Sequence, residues 1–304
     1  MKAAVLYETG APLVVEEVPE PEPGEGQGVV DVRAAGVNFA DVLIRAGRYP
    51  QPPELPTILG NEIAGDLDGR RVFAFARRNG GGYAERVAVD RDWVFDLPAD
   101  ATYAEGASLL TTYLTAWIPL VRLAHMRAGA NVLVTAAGGG VGTAAIQIAT
   151  FGGASVTAAA GSEEKLELAR RLGAVRTVSY DEIADLDDID VALDPVGGAV
   201  FAACLGALRP LGFAIAIGFA GGVWEPVDPA RLVGRNLGVV GFYLGRLLGF
   251  RPELVREEVQ ELIALWRRGA IRPVVGAEFP LAQANDAHDL VESRRSTGKV
   301  VLVP

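Results

Sequence analysis

A glycine cluster near the middle of the chain constrains the fold more than any other feature. Residues 131–136 (NVLVTA) predict a strand, which leads through Ala137 into Gly138-Gly139-Gly140-Val141-Gly142 and an apolar helix. A strand that runs into glycines at the start of a helix is the setting of a dinucleotide-binding fingerprint, because the bare backbone can approach a pyrophosphate at the helix N-terminus. Aligned to G-x-G-x-x-G, the three positions are Ala137, Gly139 and Gly142. A plain tight turn, or another Rossmann protein such as a methyltransferase, would leave the same pattern.

The end of the next predicted strand indicates which dinucleotide fits. NAD-binding proteins usually place an acid there, about twenty residues beyond the glycines, on the ribose 2′-OH. Here the strand ends in Ala160-Gly161-Ser162, and Lys165 follows in the next helix. A small residue, a hydroxyl and a cation suit a 2′-phosphate, so we predict NADPH rather than NADH. The alternative is that Ser162 is an ordinary helix N-cap and Lys165 an ordinary surface lysine.

Strands and helices alternate after residue 111, whereas the N-terminal third carries short strand patterns separated by turn residues. This alternation predicts a parallel, doubly wound sheet, and the earlier pattern predicts a mostly β region. The chain has 304 residues, which is enough for two hydrophobic cores. Residues 128–162 carry no charge and could be long enough to span a membrane, but their glycines and polar residues favour a buried β-α-β unit. We therefore expect no membrane segment.

Composition disfavours several functional classes. The formal net charge of −10 disfavours nucleic-acid binding as the main role. The N-terminal residues predict a strand rather than a signal peptide, so we expect a cytoplasmic protein. The single cysteine, Cys204, and the two histidines, His125 and His288, show no ligand spacing, so we expect no metal site. Cys204 lies in an apolar helical stretch and is expected to pack in a core.

Several segments together resemble the zinc-free quinone oxidoreductases, the zeta-crystallin-like branch of the medium-chain dehydrogenase/reductase family. They occur in the family's order and span essentially the whole chain. The segments are residues 35–41 (AGVNFAD), 45–50 (RAGRYP), 56–65 (PTILGNEIAG), 136–142 (AAGGGVG), 194–198 (DPVGG) and 296–302 (STGKVVL). Together they are more specific than the glycine cluster alone.

The resemblance implies an α/β protein with two domains and an active site in the cleft between them. It implies a GroES-like, mostly β catalytic domain over residues 1–112 and 250–304, and a doubly wound Rossmann domain that binds NADPH over residues 113–249. The family's zinc members place a cysteine where Asn38 stands and a histidine where Asn61 stands, so metal-free chemistry is implied. Residues 237–244 are apolar and fall where the family has a sheet edge, which predicts a homodimer formed by the Rossmann domains.

The resemblance also implies a set of cofactor-binding positions. Carried over onto this chain, those that would contact the pyrophosphate, the adenosine phosphate and the nicotinamide half are Gly139, Gly140, Val141, Gly161, Ser162, Lys165, Tyr180, Gly218, Phe219, Phe242, Tyr243, Asn38 and Arg294. One departure concerns the substrate pocket: Leu43 stands where several quinone oxidoreductases have a tyrosine.

The expected reaction is transfer of a hydride from NADPH to a quinone or another conjugated carbonyl. Without a Lewis acid an isolated ketone is a poor acceptor, whereas a quinone or enone delocalises the incoming negative charge. Asn38 and Tyr49 are the candidate hydrogen-bond donors to the developing oxyanion, although a turn role for Asn38 and simple packing for Tyr49 remain alternatives. A reductase of α,β-unsaturated aldehydes or acyl thioesters, or a non-catalytic NADPH-binding module, would share these motifs.

Overall fold

The computed structural model describes residues 1–76 and 80–304. The chain divides into two compact units. The first consists of Met1–Thr111 together with Pro273–Pro304, and the second consists of Thr112–Arg272. Both ends of the chain therefore contribute to the first unit, and the second is an insertion between them.

The first unit is mostly β. Its strands are β1 (Lys2–Leu6), β2 (Val14–Glu17), β3 (Gln27–Val37), β4 (Thr57–Ile58), β5 (Glu62–Leu67), β6 (Arg70–Phe75), β7 (Arg86–Asp90), β8 (Val94–Asp96), β15 (Val275–Pro280) and β16 (Lys299–Val303). Its helices are α1 (Phe39–Arg45), α2 (Tyr103–Gly106) and α10 (Ala284–Glu292), and α3 (Leu110–Trp117) begins at its end.

The long strand β3 organises the larger sheet of this unit. It pairs with β7 through its first half and with β5 and β16 through its second, always antiparallel. Val30 and Val32 face the core while Asp31 and Arg33 face water, which is the period-two pattern of a strand buried on one face. A two-residue turn at Asp68-Gly69, both with positive φ, joins β5 to β6. Asp-Gly suits such a tight hairpin, so β5 and β6 form a regular one.

The second unit carries a six-stranded sheet with helices between its strands. The strands are β9 (Asn131–Val134), β10 (Ser155–Ala159), β11 (Arg176–Val178), β12 (Ile189–Asp194), β13 (Leu208–Ala216) and β14 (Gly238–Gly241). The helices are α4 (Gly140–Phe151), α5 (Glu163–Arg171), α6 (Gly198–Ala207), α7 (Pro229–Arg235), α8 (Leu244–Phe250) and α9 (Pro252–Arg267).

The strand order is β11-β10-β9-β12-β13-β14, and every pair is parallel. Counted from β9, this is the 3-2-1-4-5-6 order of a doubly wound dinucleotide-binding sheet. Val132, Leu133 and Val134 of the central strand have no exposed surface, as expected for a strand covered on both faces. The predicted fold class is confirmed, and β14 lies at an edge of the sheet as predicted.

The helix α9 belongs to the second unit, whereas the predicted domain boundary at residue 250 assigned it to the first. Glu258, a fully buried residue of α9, accepts hydrogen bonds from Trp117 Nε1 (2.5 Å) and Arg122 Nε (2.7 Å). Both donors lie in the second unit. The chain therefore returns to the first unit at residue 273.

The uncharged stretch 128–162 forms the β9-α4-β10 unit, as predicted. Among the described residues, no helix is both long and apolar enough to cross a membrane. Most of α4 is buried within the protein, which accounts for its apolar sequence.

Candidate functional site: a nucleotide-binding edge and a buried polar cluster

The loop between β9 and α4 brings the backbone to the N-terminus of a buried helix. Ala136 adopts a left-handed conformation with φ of 46°, and the Gly139 N–H donates to the Ala136 carbonyl at 2.9 Å. A Cβ atom added to Gly142 would lie only 2.3 Å from the Ala136 carbonyl oxygen. Only glycine fits at this position, because the helix packs directly on the turn. The loop therefore presents main-chain N–H groups at a helix start, a setting that favours a bound phosphate.

A second group of predicted residues lies at the end of β10, which we call the β10 corner (Gly161, Ser162 and Lys165). The stem of Lys165 lies against the glycine loop, since a Cβ added to Gly138 would be 2.5 Å from Lys165 Cγ. Burial lowers the pKa of Lys165 from its ordinary value, and the nearby Glu164 opposes that shift. The lysine thus connects the β10 corner to the glycine loop, which sequence reasoning did not predict.

The geometry around Ser162 tests the alternative that this residue is an ordinary helix N-cap. Ser162 does occupy the N-cap position of α5, with extended φ and ψ of −151° and 150°. Within the described residues, however, its side chain makes no capping hydrogen bond to the helix. A Cβ on Gly161 would stand 3.6 Å from the Tyr180 ring, so Tyr180 borders the same corner. Glu163 is held at 2.6 Å by Arg170 on the surface of α5.

Asp194 organises the carboxyl end of β12, next to the glycine loop. Its carboxylate accepts hydrogen bonds from the Thr135 hydroxyl and from the backbone N–H groups of Val196 (3.1 Å) and Gly197 (2.7 Å). Burial raises its pKa, and the hydrogen bonds from these three residues oppose the rise. The residue is fully buried, so its role is to fix the turn and not to touch a ligand.

The predicted nicotinamide-side residues follow the next two strands. Gly218 and Phe219 follow β13 after one intervening residue, Ile217, and the Ala220 N–H donates to the Pro195 carbonyl at 2.9 Å. Phe242 and Tyr243 come directly after β14, and Tyr243 is 39% exposed. Because the strands are parallel, their carboxyl ends share one edge of the sheet. The structure therefore brings these residues to the same sheet edge as the glycine loop and the β10 corner.

Asn38, a candidate hydrogen-bond donor to the developing oxyanion, lies in the first unit within a buried polar cluster. Its Nδ2 donates to Asn61 Oδ1 at 3.0 Å and to Glu62 Oε1 at 2.9 Å. Its Oδ1 accepts from the Lys299 ammonium, which also pairs with Glu62 Oε1 at 2.5 Å. Glu62 Oε2 accepts from the Thr111 N–H at 2.9 Å. Both amide hydrogens of Asn38 are therefore engaged inside the cluster.

A second buried chain of hydrogen bonds adjoins that cluster. Asp41 Oδ2 accepts from the Asn38 backbone N–H (2.8 Å) and from the Tyr83 hydroxyl (2.9 Å). The Tyr83 hydroxyl also lies 3.4 Å from Nε2 of His288. Burial raises the pKa of Asp41 to about 6 and lowers the pKa of His288 to about 3. His288 is thus a neutral core residue at physiological pH.

Tyr49 and Arg294 are placed without a clear chemical role. Tyr49 is half-buried beyond the end of α1, and Leu43, on α1, is buried. Arg294 is an exposed residue just after α10 with φ of 59°, and its N–H donates to the Val291 carbonyl. Asn38, Tyr49 and Arg294 all belong to the first unit, whereas the other predicted contacts belong to the second.

Two further arrangements bear on what the protein can bind. In residues 1–76 and 80–304, no group of three or more His, Cys, Asp or Glu side chains is placed to hold a metal ion.

A groove of about 790 Å³ in the first unit is lined by the acids Glu16, Glu17, Glu85 and Glu278 with a single lysine, Lys2. Its carboxylates disfavour a phosphate-bearing cofactor, so the groove is not the nucleotide site.

Comparisons with known proteins agree with this geometry. The model of the alcohol dehydrogenase GroES-like domain matches residues 24–99, and that of the zinc-binding dehydrogenases matches residues 172–302. The quinone oxidoreductase of Thermus thermophilus, solved alone and with NADPH, is 41% identical over the whole of both chains, with a TM-score of 0.93. The chain belongs to the zinc-free quinone oxidoreductase family of medium-chain dehydrogenases/reductases.

Other members of this family are similar along their full length. The mouse quinone oxidoreductase is 31% identical over an alignment of 333 positions, which covers all of this chain and 98% of the mouse protein. The Escherichia coli quinone oxidoreductase, solved in complex with NADPH, is 27% identical over both whole chains, with a TM-score of 0.89. The family prediction made from the sequence is thus confirmed.

Proposed function

We propose that this protein is an NADPH-dependent oxidoreductase that delivers a hydride to a quinone or another conjugated carbonyl without a metal. The observation that carries the proposal is the position of Lys165, whose stem lies against Gly138 of the glycine loop while its helix begins at the β10 corner. One cation is thereby shared by the two regions that a dinucleotide's phosphates would occupy. The Thermus thermophilus and Escherichia coli relatives solved with NADPH support the same cofactor.

The residues present fit a cofactor with a 2′-phosphate. The β10 corner offers a glycine in place of the acid that would repel the phosphate, a hydroxyl that does not cap its helix, and an ammonium. Gly142 keeps the helix start close to the turn, so the backbone N–H groups of Gly140 and Val141 lie at the start of α4, where a pyrophosphate would bind. Tyr180 borders the adenosine side, and Gly218, Phe219, Phe242 and Tyr243 border the nicotinamide side.

The proposed reaction depends little on the ionisable side chains of the protein. Bound NADPH supplies the hydride, and a proton from solvent completes the two-electron reduction of the acceptor. The chain's residues orient the acceptor and donate hydrogen bonds to the oxygen where negative charge develops. Since both amide hydrogens of Asn38 are engaged by Asn61 and Glu62, we assign Asn38 to holding the buried cluster and leave Tyr49 as the candidate donor.

The decisive experiment is NADPH oxidation, followed at 340 nm, against a panel of quinones, enones, unsaturated aldehydes and acyl thioesters. We expect turnover with quinones or enones and little with saturated ketones, which cannot delocalise the incoming charge. Preference for an unsaturated aldehyde or acyl thioester would favour the alternative reductase function. Tight NADPH binding without turnover of any acceptor would favour a non-catalytic binding module.

A further inference from the structure

One polar side chain in the apolar helix α4 is not part of the proposed cofactor site. Gln147 lies about two turns beyond Gly140, where the helix begins, and only 9% of it is exposed. Its neighbours in sequence, Ile146 and Ile148, are apolar and buried. Burying an amide group is unfavourable unless its hydrogen bonds are made, so Gln147 requires partners inside the protein.

The partners of Gln147 lie beside the two connections between the units, which follow residue 111 and residue 272. Gln147 Nε2 donates to the Tyr113 hydroxyl at 2.9 Å and to the Arg272 carbonyl at 3.0 Å. Gln147 Oε1 accepts from the Arg272 N–H at 2.7 Å. One side chain of the cofactor-binding helix is therefore bonded to a residue next to each connection.

The pairing of Gln147 with Arg272 runs in both directions, and it specifies a primary amide. One atom of the side chain donates to the backbone carbonyl, while its neighbour accepts from the N–H of the same residue. An ionised carboxylate can only accept, so a glutamate would face the Arg272 carbonyl with negative charge. A methionine has a similar length and would make neither bond strongly.

Hydrogen bonds also connect Gln147 with the start of its own helix. Gln147 Nε2 lies 3.3 Å from the Thr143 carbonyl oxygen, which is one turn closer to the glycine loop. The Thr143 hydroxyl donates to the Gly140 carbonyl at 3.0 Å, and the Thr143 N–H donates to the Gly139 carbonyl at 2.9 Å. The glycine loop and the two connections are thus bonded to the same helix.

We propose that Gln147 is a positioning residue, which holds both connections to the cofactor-binding helix so that hydride donor and acceptor stay aligned. The proposal rests on the proposed function, whose candidate residues come from both units: the glycine loop from the second and Tyr49 from the first. Misplacing reacting groups by about 1 Å can lower a rate about 100-fold. Loss of the Gln147 hydrogen bonds therefore lowers the rate of hydride transfer more than it lowers the affinity for NADPH.

The kinetic test measures the NADPH Kd and the single-turnover rate of NADPH oxidation by the best acceptor. For Gln147→Met we expect the rate to fall about tenfold or more and the Kd to change by less than about twofold. Ile148→Val is the matched control, because it removes one buried methyl group from the same helix without removing a hydrogen bond, and it should keep the wild-type rate. An unchanged rate in Gln147→Met, or a loss of affinity as large as the loss of rate, would overturn the proposal.

Gln147→Glu supplies a second readout, since only a protonated carboxyl can both donate to and accept from Arg272. Burial beside the Thr143 and Arg272 carbonyls raises the pKa of a carboxyl group at this position. We expect its rate relative to the wild type to be low at about pH 8.5 and to recover toward about pH 5.5. Gln147→Met has no titratable group and should keep one relative rate. A pH-independent relative rate in Gln147→Glu contradicts the proposal.

Hydrogen exchange separates this proposal from the proposed function, because it is read with NADPH alone and needs no turnover. We expect NADPH to slow amide exchange in peptides covering residues 109–117 and 268–276 of the wild type and of Ile148→Val. In Gln147→Met, NADPH should bind without slowing exchange in these peptides. No slowing in the wild type, or slowing retained in Gln147→Met, contradicts the proposal whether or not any acceptor is reduced.

Discussion

Lys165 is the residue on which the choice of cofactor depends most. A hydrogen bond to a charged group contributes about 1.5–3 kcal/mol, and about 1.4 kcal/mol is tenfold in affinity. We therefore expect Lys165→Ala to weaken NADPH binding by about 10- to 100-fold, and NADH, which lacks the 2′-phosphate, to bind as before. Fluorescence titration of both cofactors measures this. If both weaken equally, the lysine supports the loop through its packing on Gly138, and the cofactor assignment loses its main support.

His288 makes a separate prediction about acid stability. Its pKa is lowered to about 3 by burial and then by Arg45, while Asp289 opposes the shift. The unfolded chain therefore takes up a proton near pH 6.5 that the folded protein resists, so stability is lost as pH falls from 6.5 toward 3. Relative to neutral pH, the expected loss from His288 at pH 5 is about 2 kcal/mol.

The measurement is urea unfolding between pH 5 and 8 in the wild type and in His288→Gln. Asp41, with its pKa raised to about 6, acts in the opposite direction, losing stability as pH rises through 6. Both proteins retain Asp41, so the difference between their pH profiles isolates the histidine. Parallel profiles would show that His288 does not titrate as its burial implies.

At the scale of elements, the glycine loop is the part whose geometry allows least change. A Cβ on Gly142 would press against the Ala136 carbonyl oxygen at 2.3 Å, and backbone cannot easily move aside. We expect Gly142→Ala to destabilise the protein by about 1–3 kcal/mol and to weaken NADPH binding. Gly234→Ala in α7 is the control, since its Cβ would meet nothing within 4 Å, and should stabilise by about 0.5–1 kcal/mol. Equal stability of Gly142→Ala and the wild type by urea unfolding would contradict this geometry.

The elements also show how far sequence could predict the structure. The β-α-β unit around α4 was predicted from the uncharged stretch 128–162, because a glycine cluster there separates an apolar strand from an apolar helix. The start of β13 at Leu208 could not be predicted, since Pro210 argues against a strand from sequence alone. The unit to which α9 belongs could not be predicted, because an amphipathic helix does not specify which core its apolar face covers.

Some residues of the candidate site could likewise be predicted from the sequence, and others could not. Gly139 and Gly142 could be predicted as site residues because the strand, the glycines and the helix follow one another directly in the sequence. The buried group of Asn38, Glu62 and Lys299 was not predicted, because its members lie far apart in sequence and only the fold brings them together. In the sequence, the one sign of this buried group was a lysine at the start of the apolar run Lys299–Val303. That lysine did not indicate which residues it would contact.

At the scale of the whole molecule, the edge strand β14 predicts association. Val239 and Val240 are only partly buried at the outer edge of the sheet, where a symmetry-related copy can pair. We expect a dimer at micromolar concentration by sedimentation, and dissociation in Val240→Lys, which sets two like charges at the shared edge. Val175→Lys, at a 72% exposed residue just before the opposite edge strand, is the control and should remain dimeric. A monomeric wild type would contradict the prediction.

Metal-free hydride transfer from NADPH is the central claim, and it has a physical reason in the first unit. The Lys299 ammonium already lies against Asn38 and Glu62, so a divalent cation there would be repelled by a buried positive charge. The most direct test is the rate of NADPH oxidation by the best acceptor after prolonged dialysis against a chelator. We predict a rate equal to that of the untreated protein, with no increase on adding zinc. Loss of the rate, restored specifically by zinc, would contradict the account.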